Sequence, residues 1–320
     1  MELFFAQIMT DAALIFATGL RQKLTELNGQ IGNTPLIRFP SVFRHGAVQI
    51  VAKQEWQQLS GSVKARAAFG IFKDAVEKKL LTPGKILLDA TSGNTGIAYA
   101  EIGRWLGIQV VLCLPENASA ERKHILRELG VELILTSRFE GTDGAQEVAR
   151  SLAEKKPDLY FYADQYKNEN NWKAHYNGTG PEILRQVPDI THFVTGLGTT
   201  GSFVGTARKL REENSSICLI SLQPDNPLHG LEGWKHLETA VVPEIYDDTV
   251  ADENLEISTD EAYAMIVEVK QKEGVLLSPS SAANLVGAIR VASRLESGTV
   301  VTLLPDNGDK YGDLNKKLFK

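Results

Sequence analysis

Short apolar runs alternate with amphipathic helical stretches from about residue 85 onward. The runs are rich in Val, Ile and Leu, and the stretches between them repeat apolar residues at the 3.6-residue period of a helix. Gly107 and Gly130 follow two of these stretches, and Ser119 is a suitable N-cap residue. The pattern predicts strands at 85–91, 108–114, 131–136 and 159–163, and helices at 95–106, 119–130 and 143–155.

The same alternation resumes near residue 190 and continues to the C-terminus. Ser258-Thr259-Asp260-Glu261 has the spacing of a capping box, which opens a helix. Near-continuous apolar strands between helices are typical of parallel sheets covered on both faces. The chain is therefore predicted to be α/β with two three-layer units. The second unit would contain strands at 192–195, 217–222 and 299–304, and helices ending near Leu210, Lys272 and Leu295.

Two stretches fall outside this alternation. Residues 224–252 are polar and poor in helical pattern, and they are too long for a simple connection, so we expect a functional loop. Near the N-terminus, Phe4, Ile8, Ala12 and Ile15 recur at helical spacing. This spacing predicts an amphipathic helix that packs on the body or on a second subunit. A role at a membrane surface is the alternative for this helix.

Composition and charge exclude several classes of protein. With 43% hydrophobic and 23% charged residues, the 320-residue chain suits a folded soluble protein of about two domains. The net charge of −6 offers no case for nucleic acid or an anionic membrane as a partner. No apolar run approaches the ~18 residues of a membrane helix, and the histidines lack metal-ligand spacing. Cys113 and Cys218 lie in apolar runs, so we expect buried thiols and a cytoplasmic location.

The first candidate for chemistry is Lys64, which ends the segment Ser60-Gly61-Ser62-Val63-Lys64 and begins a helical pattern. A lysine in the first turn of a helix is electrostatically misplaced, because the N-terminal end of the helix dipole is positive. Two interpretations follow. The residue is either a solvated surface lysine or a lysine held as an imine, whose charge the site controls.

Two further segments lie between a predicted strand and a predicted helix. They are Thr91-Ser92-Gly93-Asn94-Thr95-Gly96 and Gly196-Leu197-Gly198-Thr199-Thr200-Gly201-Ser202. Glycines and hydroxyl residues there leave backbone N–H groups to hold an anion at a helix N-terminus, although simple helix capping uses the same residue types. The second segment fits neither the dinucleotide-binding nor the P-loop pattern. Two such loops and a helix-opening lysine in one α/β chain favour an anion-binding enzyme.

Taken together, these motifs resemble a known enzyme family. Ile31–Leu36 (IGNTPL), the lysine segment, the two loops and Pro305-Asp306-Asn307-Gly308 occur in the order found in the cysteine synthase and cystathionine β-synthase family. These enzymes depend on pyridoxal 5'-phosphate (PLP) and have fold type II, like the tryptophan synthase β subunit. The GTTG form of the second loop, with Gly230 and Trp234 downstream, resembles the cysteine synthase B branch most.

The resemblance implies roles for residues at the cofactor. Lys64 would carry the imine with PLP and then act as general base at Cα. Asn94 would contact the ring hydroxyl, and Ser280 would face the pyridine nitrogen, with Ser281 as the alternative register. A serine there makes the ring a weaker electron sink than a carboxylate would, which favours β-elimination over transamination. The residues expected to hold the PLP phosphate are Gly198, Thr199, Thr200, Gly201 and Ser202.

The resemblance also implies a substrate and an assembly. Gln165 would lie near an amino-acid substrate, whose leaving group, acetate or phosphate, is replaced by sulfur to make L-cysteine through an aminoacrylate. A homodimer is expected, with PLP between a smaller mobile domain (59–170) and a larger domain (1–58 with 171–320). Residues 1–27 form an extension without a family counterpart. The residues expected to bind the substrate carboxylate are Thr91, Ser92, Gly93, Asn94 and Thr95.

The sequence departs from the family pattern at two motif positions and leaves other functions open. Ala65 stands where the family usually has Asp, and Asn307 stands where it often has Ser. Related alternatives are a cystathionine β-synthase-like or diaminopropionate-synthase-like replacement, and a serine or threonine dehydratase. A catalytically silent scaffold is the alternative from a different class, but such a protein has no need to keep Lys64.

Overall fold

The computed structural model describes residues 2–91 and 93–320, with side chains from residue 15 onward. The chain forms two compact units: unit 1 contains the N-terminus through Ile31 together with Ala68–Asn170, and unit 2 contains Gly32–Ala67 together with Asn171–Lys320. The helices and strands, in chain order, are α1 (Glu2–Asn28), β1 (Leu36–Ile37), β2 (Ala47–Gln54), α2 (Lys64–Glu77), β3 (Ile86–Ala90), α3 (Asn94–Leu106), β4 (Val110–Pro115), α4 (Ala120–Glu128), β5 (Glu132–Thr136), α5 (Gly141–Lys155), β6 (Tyr160–Tyr162), α6 (Asn170–Ala174), α7 (Gly180–Gln186), β7 (His192–Gly196), α8 (Gly201–Glu213), β8 (Cys218–Pro224), β9 (Glu253–Ile257), α9 (Thr259–Glu273), α10 (Pro279–Ala292), β10 (Ser297–Leu304) and α11 (Gly312–Leu318).

Unit 1 is built on a four-stranded parallel sheet with the strand order β5-β4-β3-β6. The two central strands, β3 and β4, are almost wholly buried, as expected for strands covered on both faces. One cluster of its core joins Leu88, Ala90, Val111 and Cys113 of these strands to α5. The carboxyl end of β3 leads directly into the first candidate loop.

Unit 2 is built on a six-stranded sheet with the order β1-β2-β10-β7-β8-β9. Every pairing in it is parallel except β1 with β2, which is antiparallel. Apolar side chains pack on both faces of this sheet in two separate clusters. One cluster includes α9 and α10, and the other includes α7 and α8, which confirms the predicted three-layer α/β architecture.

Helix α1 belongs to unit 1, whereas the sequence-based ranges grouped residues 1–58 with the larger domain. Its C-terminal half buries Leu20, Leu24 and Leu27, and Lys23 Nζ donates to the Leu106 carbonyl oxygen at the end of α3 at 3.3 Å. Ile15 is 73% exposed, so the expected apolar face does not extend to that residue. The side chains of Phe4, Ile8 and Ala12 lie outside the described residues. No helix in the described part of the chain is long and apolar enough to cross a membrane.

The predicted elements between residues 85 and 163 are confirmed within a few residues at each end. Strands and helices that were not predicted are β1, β2, β9, α6, α7 and α11, since short or mixed segments carry a weak periodic signal. Residues 225–252, all of which the structure describes, contain no helix or strand, in agreement with the expected long loop. Cys113 is buried as predicted, whereas Cys218 is partly exposed at the start of β8.

Candidate functional site

Both glycine-rich segments lie at the carboxyl ends of parallel strands and run into a helix. In unit 1, Thr91–Gly96 leads from β3 into α3, and in unit 2, Gly198–Ser202 leads from β7 into α8. Ligands of open α/β sheets bind at this end of the strands, and the first N–H groups of a helix have no partner within it. We call the first segment the carboxylate loop and the second the phosphate loop, after their predicted ligands.

The phosphate loop contains a polar group that the described part of the fold does not use. Thr200, the residue that precedes α8, has a φ of 70°, a left-handed conformation that is uncommon for threonine. Its hydroxyl is buried and has no hydrogen-bond partner among the described residues. Such a group costs about 1–3 kcal/mol, which a hydrogen bond to a ligand removes. Together with the partly buried Ser202 in the first turn of α8, this arrangement fits a phosphate.

Two glycines allow neighbouring groups to pack closely against the phosphate loop. A Cβ on Gly198 would lie 2.0 Å from the carbonyl oxygen of Gly233, and one on Gly201 would lie 2.2 Å from Asn171 Oδ1. The Nδ2 group of Asn171 also donates to the Thr199 hydroxyl at 3.0 Å. Larger residues do not fit at the two glycines, so the loop has a fixed shape before any ligand binds. Asn171 was not predicted from the sequence.

Lys64 is the first residue of α2 and is partly buried in unit 2. Burial lowers the pKa of its amine, and the carboxylates of Asp306 and Glu55 act in the opposite direction. The net shift is downward, which favours the neutral amine that an imine requires. The residue is therefore not the solvated surface lysine of the alternative interpretation.

The serines at the start of α10 have different tasks. Ser278 is the N-cap, and its hydroxyl accepts from the Ser281 N–H at 3.2 Å. The Ser281 hydroxyl donates to the backbone carbonyl oxygen of Asp306 at 2.5 Å. Within the described residues, the buried Ser280 hydroxyl makes only long contacts, at 3.3 Å from Ser278 Oγ and 3.5 Å from Asp306 Oδ1. Ser280 thus keeps its capacity to bond a ligand, whereas the Ser281 hydroxyl is used within the fold.

The carboxylate loop is held by hydrogen bonds within unit 1. The Gly93 N–H donates to the Thr91 hydroxyl at 3.2 Å, and the Thr91 N–H donates to the Cys113 carbonyl oxygen at 3.0 Å. The Thr95 hydroxyl, in the first turn of α3, donates to Gln165 Oε1 at 2.8 Å. A hydroxyl has one proton to donate, so a carboxylate that accepts it must displace Gln165.

The remaining residues predicted to bind the substrate are Ser92, Asn94 and Gln165. Asn94 is the first residue of α3 and is partly buried, and Ser92 lies outside the described residues. Gln165 is buried, and its Nε2 group donates to the carbonyl oxygen of Ala90, the last residue of β3, at 3.0 Å. The structure therefore brings Thr91, Thr95 and Gln165 together at the end of one strand, although 70 residues separate Thr95 from Gln165.

A single buried carboxylate lies under the carboxylate loop. Asp89 accepts hydrogen bonds from the backbone N–H groups of Ala90 at 2.8 Å and Gln165 at 3.4 Å. Burial raises the pKa of Asp89 to about 7; the charge of Asp164 adds to the rise, while hydrogen bonds oppose it. The sequence analysis missed this residue, and its signal was a lone acid within the apolar run of β3.

A cluster of four buried charges lies in unit 2 and was also missed. We call Lys53, Glu55, Arg66 and Glu182 the buried quartet. Arg66 binds both carboxylates in bidentate fashion, with N···O distances of 2.6 and 2.9 Å to Glu55 and 2.7 and 2.8 Å to Glu182. Lys53 Nζ lies 2.8 Å from Glu182 Oε2. The sequence signal for such a cluster is a charged residue within an apolar segment. Arg66, for example, stands among alanines at the start of α2.

His175 is buried in a π-helical turn, His175–Thr179, a feature that often marks functional sites. Its Nδ1 lies 2.9 Å from the Thr179 hydroxyl. Burial lowers its pKa well below the usual value, and the charges of Arg66 and Lys64 add to this shift, so the imidazole is neutral. Within the residues that the structure describes, no three His, Cys, Asp or Glu side chains are arranged to hold a metal ion.

Known proteins resemble this chain over most of its length. Residues 27–306 match a family model described as pyridoxal-phosphate dependent enzyme. A cysteine synthase of Aquifex aeolicus is 44% identical over 88% of each chain. Cysteine synthase B of Salmonella typhimurium is 36% identical over 90% of this chain and 94% of that protein. A solved cysteine synthase from Entamoeba histolytica superposes with a TM-score of 0.85 and 32% identity, over 90% of this chain and 89% of that one.

Proposed function

The chain belongs to the family of pyridoxal-phosphate dependent enzymes, and we propose that it uses this cofactor to make L-cysteine from an activated serine and a sulfur donor. The relatives that match nearly its whole length are named cysteine synthases. The observation that carries the proposal lies in unit 2. There the fold combines a buried lysine of lowered pKa, Lys64, with a loop whose Thr200 hydroxyl has no partner among the described residues.

Unit 2 supplies the groups that would hold most of the cofactor. Lys64 would hold it covalently through its amine, and the phosphate loop would bind its phosphate through backbone N–H groups and hydroxyls. Ser280 would face the ring nitrogen, and Asn94 of unit 1 would contact the ring hydroxyl. When bound, the cofactor supplies an electron sink for bond breaking at Cα and Cβ of an amino acid.

Lys64 would also move the proton during the reaction. With the amino acid bound, the Lys64 amine would accept the proton from Cα as general base and would return it after sulfur has added at Cβ. A lowered pKa is useful here, because a larger fraction of the amine is then neutral near pH 7. Acetate or phosphate leaves from Cβ with the electrons of the broken C–O bond.

Unit 1 would recognise the amino acid. The substrate carboxylate would bind the backbone N–H groups and hydroxyls of the carboxylate loop, in charge-assisted hydrogen bonds. Thr95 would then transfer its hydroxyl hydrogen bond from Gln165 to the carboxylate, and the Gln165 Oε1 atom would accept a hydrogen bond from the substrate in its place. The residues proposed for this subsite remain Thr91, Ser92, Gly93, Asn94, Thr95 and Gln165.

A substrate panel tests the proposal. The purified chain, loaded with PLP, is given O-acetylserine, O-phosphoserine or serine, each with sulfide, and cysteine and the released acetate or phosphate are measured. We expect cysteine from one of the two activated serines at a rate at least a hundredfold above that from serine. Pyruvate and ammonia as the main products would indicate a dehydratase. No product from any of the three would reject the proposed synthesis of cysteine from sulfide.

Two further properties, the assembly and the location of the protein, stay predictions. The homologues act on small molecules, and a homodimer is the assembly expected for such an enzyme. Sedimentation at micromolar concentration gives the assembly directly, with a dimer of about 70 kDa expected from the chain mass of 35.1 kDa. A cytoplasmic location stays a prediction from cysteine usage.

A further inference from the structure

The buried quartet takes no direct part in the reaction proposed above, yet it adjoins the turn that carries Lys64. Glu55 directly follows β2, Arg66 lies in the first turn of α2 two residues after Lys64, and Glu182 lies in α7. The Arg66 side chain is only 3% exposed, and that of Glu55 is fully buried. The quartet contains two positive and two negative groups, so its charges cancel.

Stability alone does not explain such a cluster. Each ion loses its hydration on burial, and well-packed apolar residues of similar volume are often at least as stable. Removing one partner, however, leaves an uncompensated charge in a low-dielectric interior. The quartet is therefore a place where one substitution changes the local electrostatics strongly.

We infer that Arg66 is a positioning residue for Lys64. It fixes the first turn of α2 against Glu55 and Glu182, and it compensates the charge of Glu55, which would otherwise favour the ammonium form of Lys64. The inference rests on the proposed role of Lys64. Physically, the field of a closely paired anion and cation falls off faster with distance than the field of a lone anion. Without the guanidinium, Glu55 would act on Lys64 as an uncompensated carboxylate and would stabilise the ammonium form.

Other charged and titratable groups act on Lys64 or on the turn before it from several elements of the fold. After β10, the Asp306 carboxylate raises the pKa of Lys64, as Glu55 does after β2. The imidazole of His175, in the π-helical turn, is neutral because burial lowers its pKa. Lys310 Nζ donates to the carbonyl oxygens of residues 60 and 61, at 2.8 and 3.2 Å, in the turn before Lys64. Changing Arg66 leaves these groups in place. It removes the compensation of the quartet carboxylates and one of the charges that lower the pKa of His175, whose burial remains the largest cause of that shift.

The experiment measures the protonation of Lys64 without using activity. The full-length chain, freed of cofactor, is pulse-labelled with acetic anhydride at a series of pH values, and acetylation of Lys64 is read by mass spectrometry. We expect Arg66→Gln to raise the pH midpoint by about one unit, which is about tenfold less neutral amine at a given pH. The double variant Glu55→Gln/Arg66→Gln should return the midpoint to the parent value or below it.

Glu182→Gln is the matched control, because it breaks the same quartet but removes an anion. Its midpoint should be unchanged or lower. If Arg66→Gln and Glu182→Gln both raised the midpoint, or if the double variant did not restore it, the quartet would be merely structural and the inference would be wrong.

Two further variants keep the inference testable if Arg66→Gln does not fold, which circular dichroism would show. Arg66→Lys keeps the charge and should keep the midpoint within half a unit. Glu55→Gln leaves Arg66 paired with Glu182 and should lower the midpoint; a raised or unchanged midpoint would overturn the inference. Failure of the proposed function has a different signature, in which Lys64 titrates as expected but forms no borohydride-reducible imine with PLP.

Discussion

The two units stabilise their buried carboxylates in different ways. In unit 2, burial disfavours the Glu182 carboxylate, but hydrogen bonds and the charge of Arg66 outweigh this and lower its pKa to about 2. In unit 1, the described structure pairs Asp89 with backbone N–H groups and not with a cation, and burial raises its pKa to about 7. A paired carboxylate stays ionised at any physiological pH, whereas a buried acid bonded to backbone N–H groups changes its charge near neutrality.

The two loops differ in whether a threonine hydroxyl is already hydrogen-bonded within the fold. In the described structure, the Thr200 hydroxyl of the phosphate loop has no partner and the glycines fix the backbone, so a phosphate binds without breaking a bond. The Thr95 hydroxyl of the carboxylate loop already donates to Gln165. We therefore expect a resident ligand in unit 2 and, in unit 1, a ligand that would exchange with internal hydrogen bonds at each turnover. The four predictions below test this contrast.

The largest effect is expected from Lys64→Ala. Losing the covalent attachment and the general base together should lower the rate of cysteine formation by a factor of at least ~1,000. The variant should remain folded and lose the visible absorption band of the bound cofactor. Lys78→Ala removes a surface lysine paired with Asp74 and serves as the control with unchanged activity. Turnover within tenfold of the parent would show that another group carries the chemistry.

The next effect concerns the fixed shape of the phosphate loop. Gly201→Val would drive a side chain into Asn171 Oδ1, which also disturbs the hydrogen bond from Asn171 to Thr199. We expect equilibrium PLP affinity to fall about a hundredfold, which corresponds to about 2.8 kcal/mol. Gly19→Val is the control, because nothing lies within 4 Å of a Cβ at that helical position. Equal PLP affinity in both variants would mean that the loop is only a helix cap.

A smaller and more selective effect is expected from Thr95→Val. The change removes the hydroxyl that exchanges between Gln165 and the substrate, so the KM for the amino acid should rise about tenfold, a loss typical of one hydrogen bond to a charged group. PLP affinity should stay within twofold of the parent. Thr136→Val removes another buried threonine hydroxyl of unit 1, one without a partner among the described residues, and should leave KM unchanged. A loss of PLP binding in Thr95→Val with unaltered KM would reverse the assignment of the two loops.

The smallest effect is on the pH dependence of stability. Because the pKa of Asp89 is raised from 3.8 to about 7, the folded state binds its proton more tightly than the unfolded state. The free energy of unfolding therefore falls as pH rises from about 4 to 7 and levels off above 7. Relative to the parent, Asp89→Asn should gain stability on the order of 1 kcal/mol between pH 6 and pH 8.

Thermal unfolding of the parent, of Asp89→Asn and of the surface control Asp74→Asn at these two pH values measures the difference. Asp74 pairs with Lys78 on the surface, so its substitution should leave the pH dependence unchanged. If Asp89→Asn kept the parent's pH dependence, Asp89 would be ionised throughout the range and the contrast between the units would disappear.

Local signals in the sequence were sufficient for many elements and for the position of both loops. The capping box at Ser258 and Glu261 forms with both of its hydrogen bonds, Ser119 caps α4, and Gly107 ends α3 in the left-handed conformation. These features depend on residues within four positions of one another, so their chemistry can be recognised without knowing the rest of the fold.

Local signals of this kind do not predict the order of the strands in a sheet. β2 pairs with β10 over eight residues, although about 250 positions separate the two strands in sequence. The antiparallel edge strand β1 and the partly exposed β9 were missed for the same reason, since their place depends on partners that a local pattern does not contain.

By itself, the sequence determined the α/β class, the position of each glycine-rich loop between a strand and a helix, and the lysine that opens α2. Only the tertiary structure decided the environment of these groups. It placed Glu182 against Arg66 across 116 residues and Gln165 against Thr95 across 70, and it buried Asp89 below the carboxylate loop. The physical reason is that hydrogen-bonding capacity belongs to a residue type, whereas desolvation and pairing depend on which distant side chains the fold brings within about 3 Å.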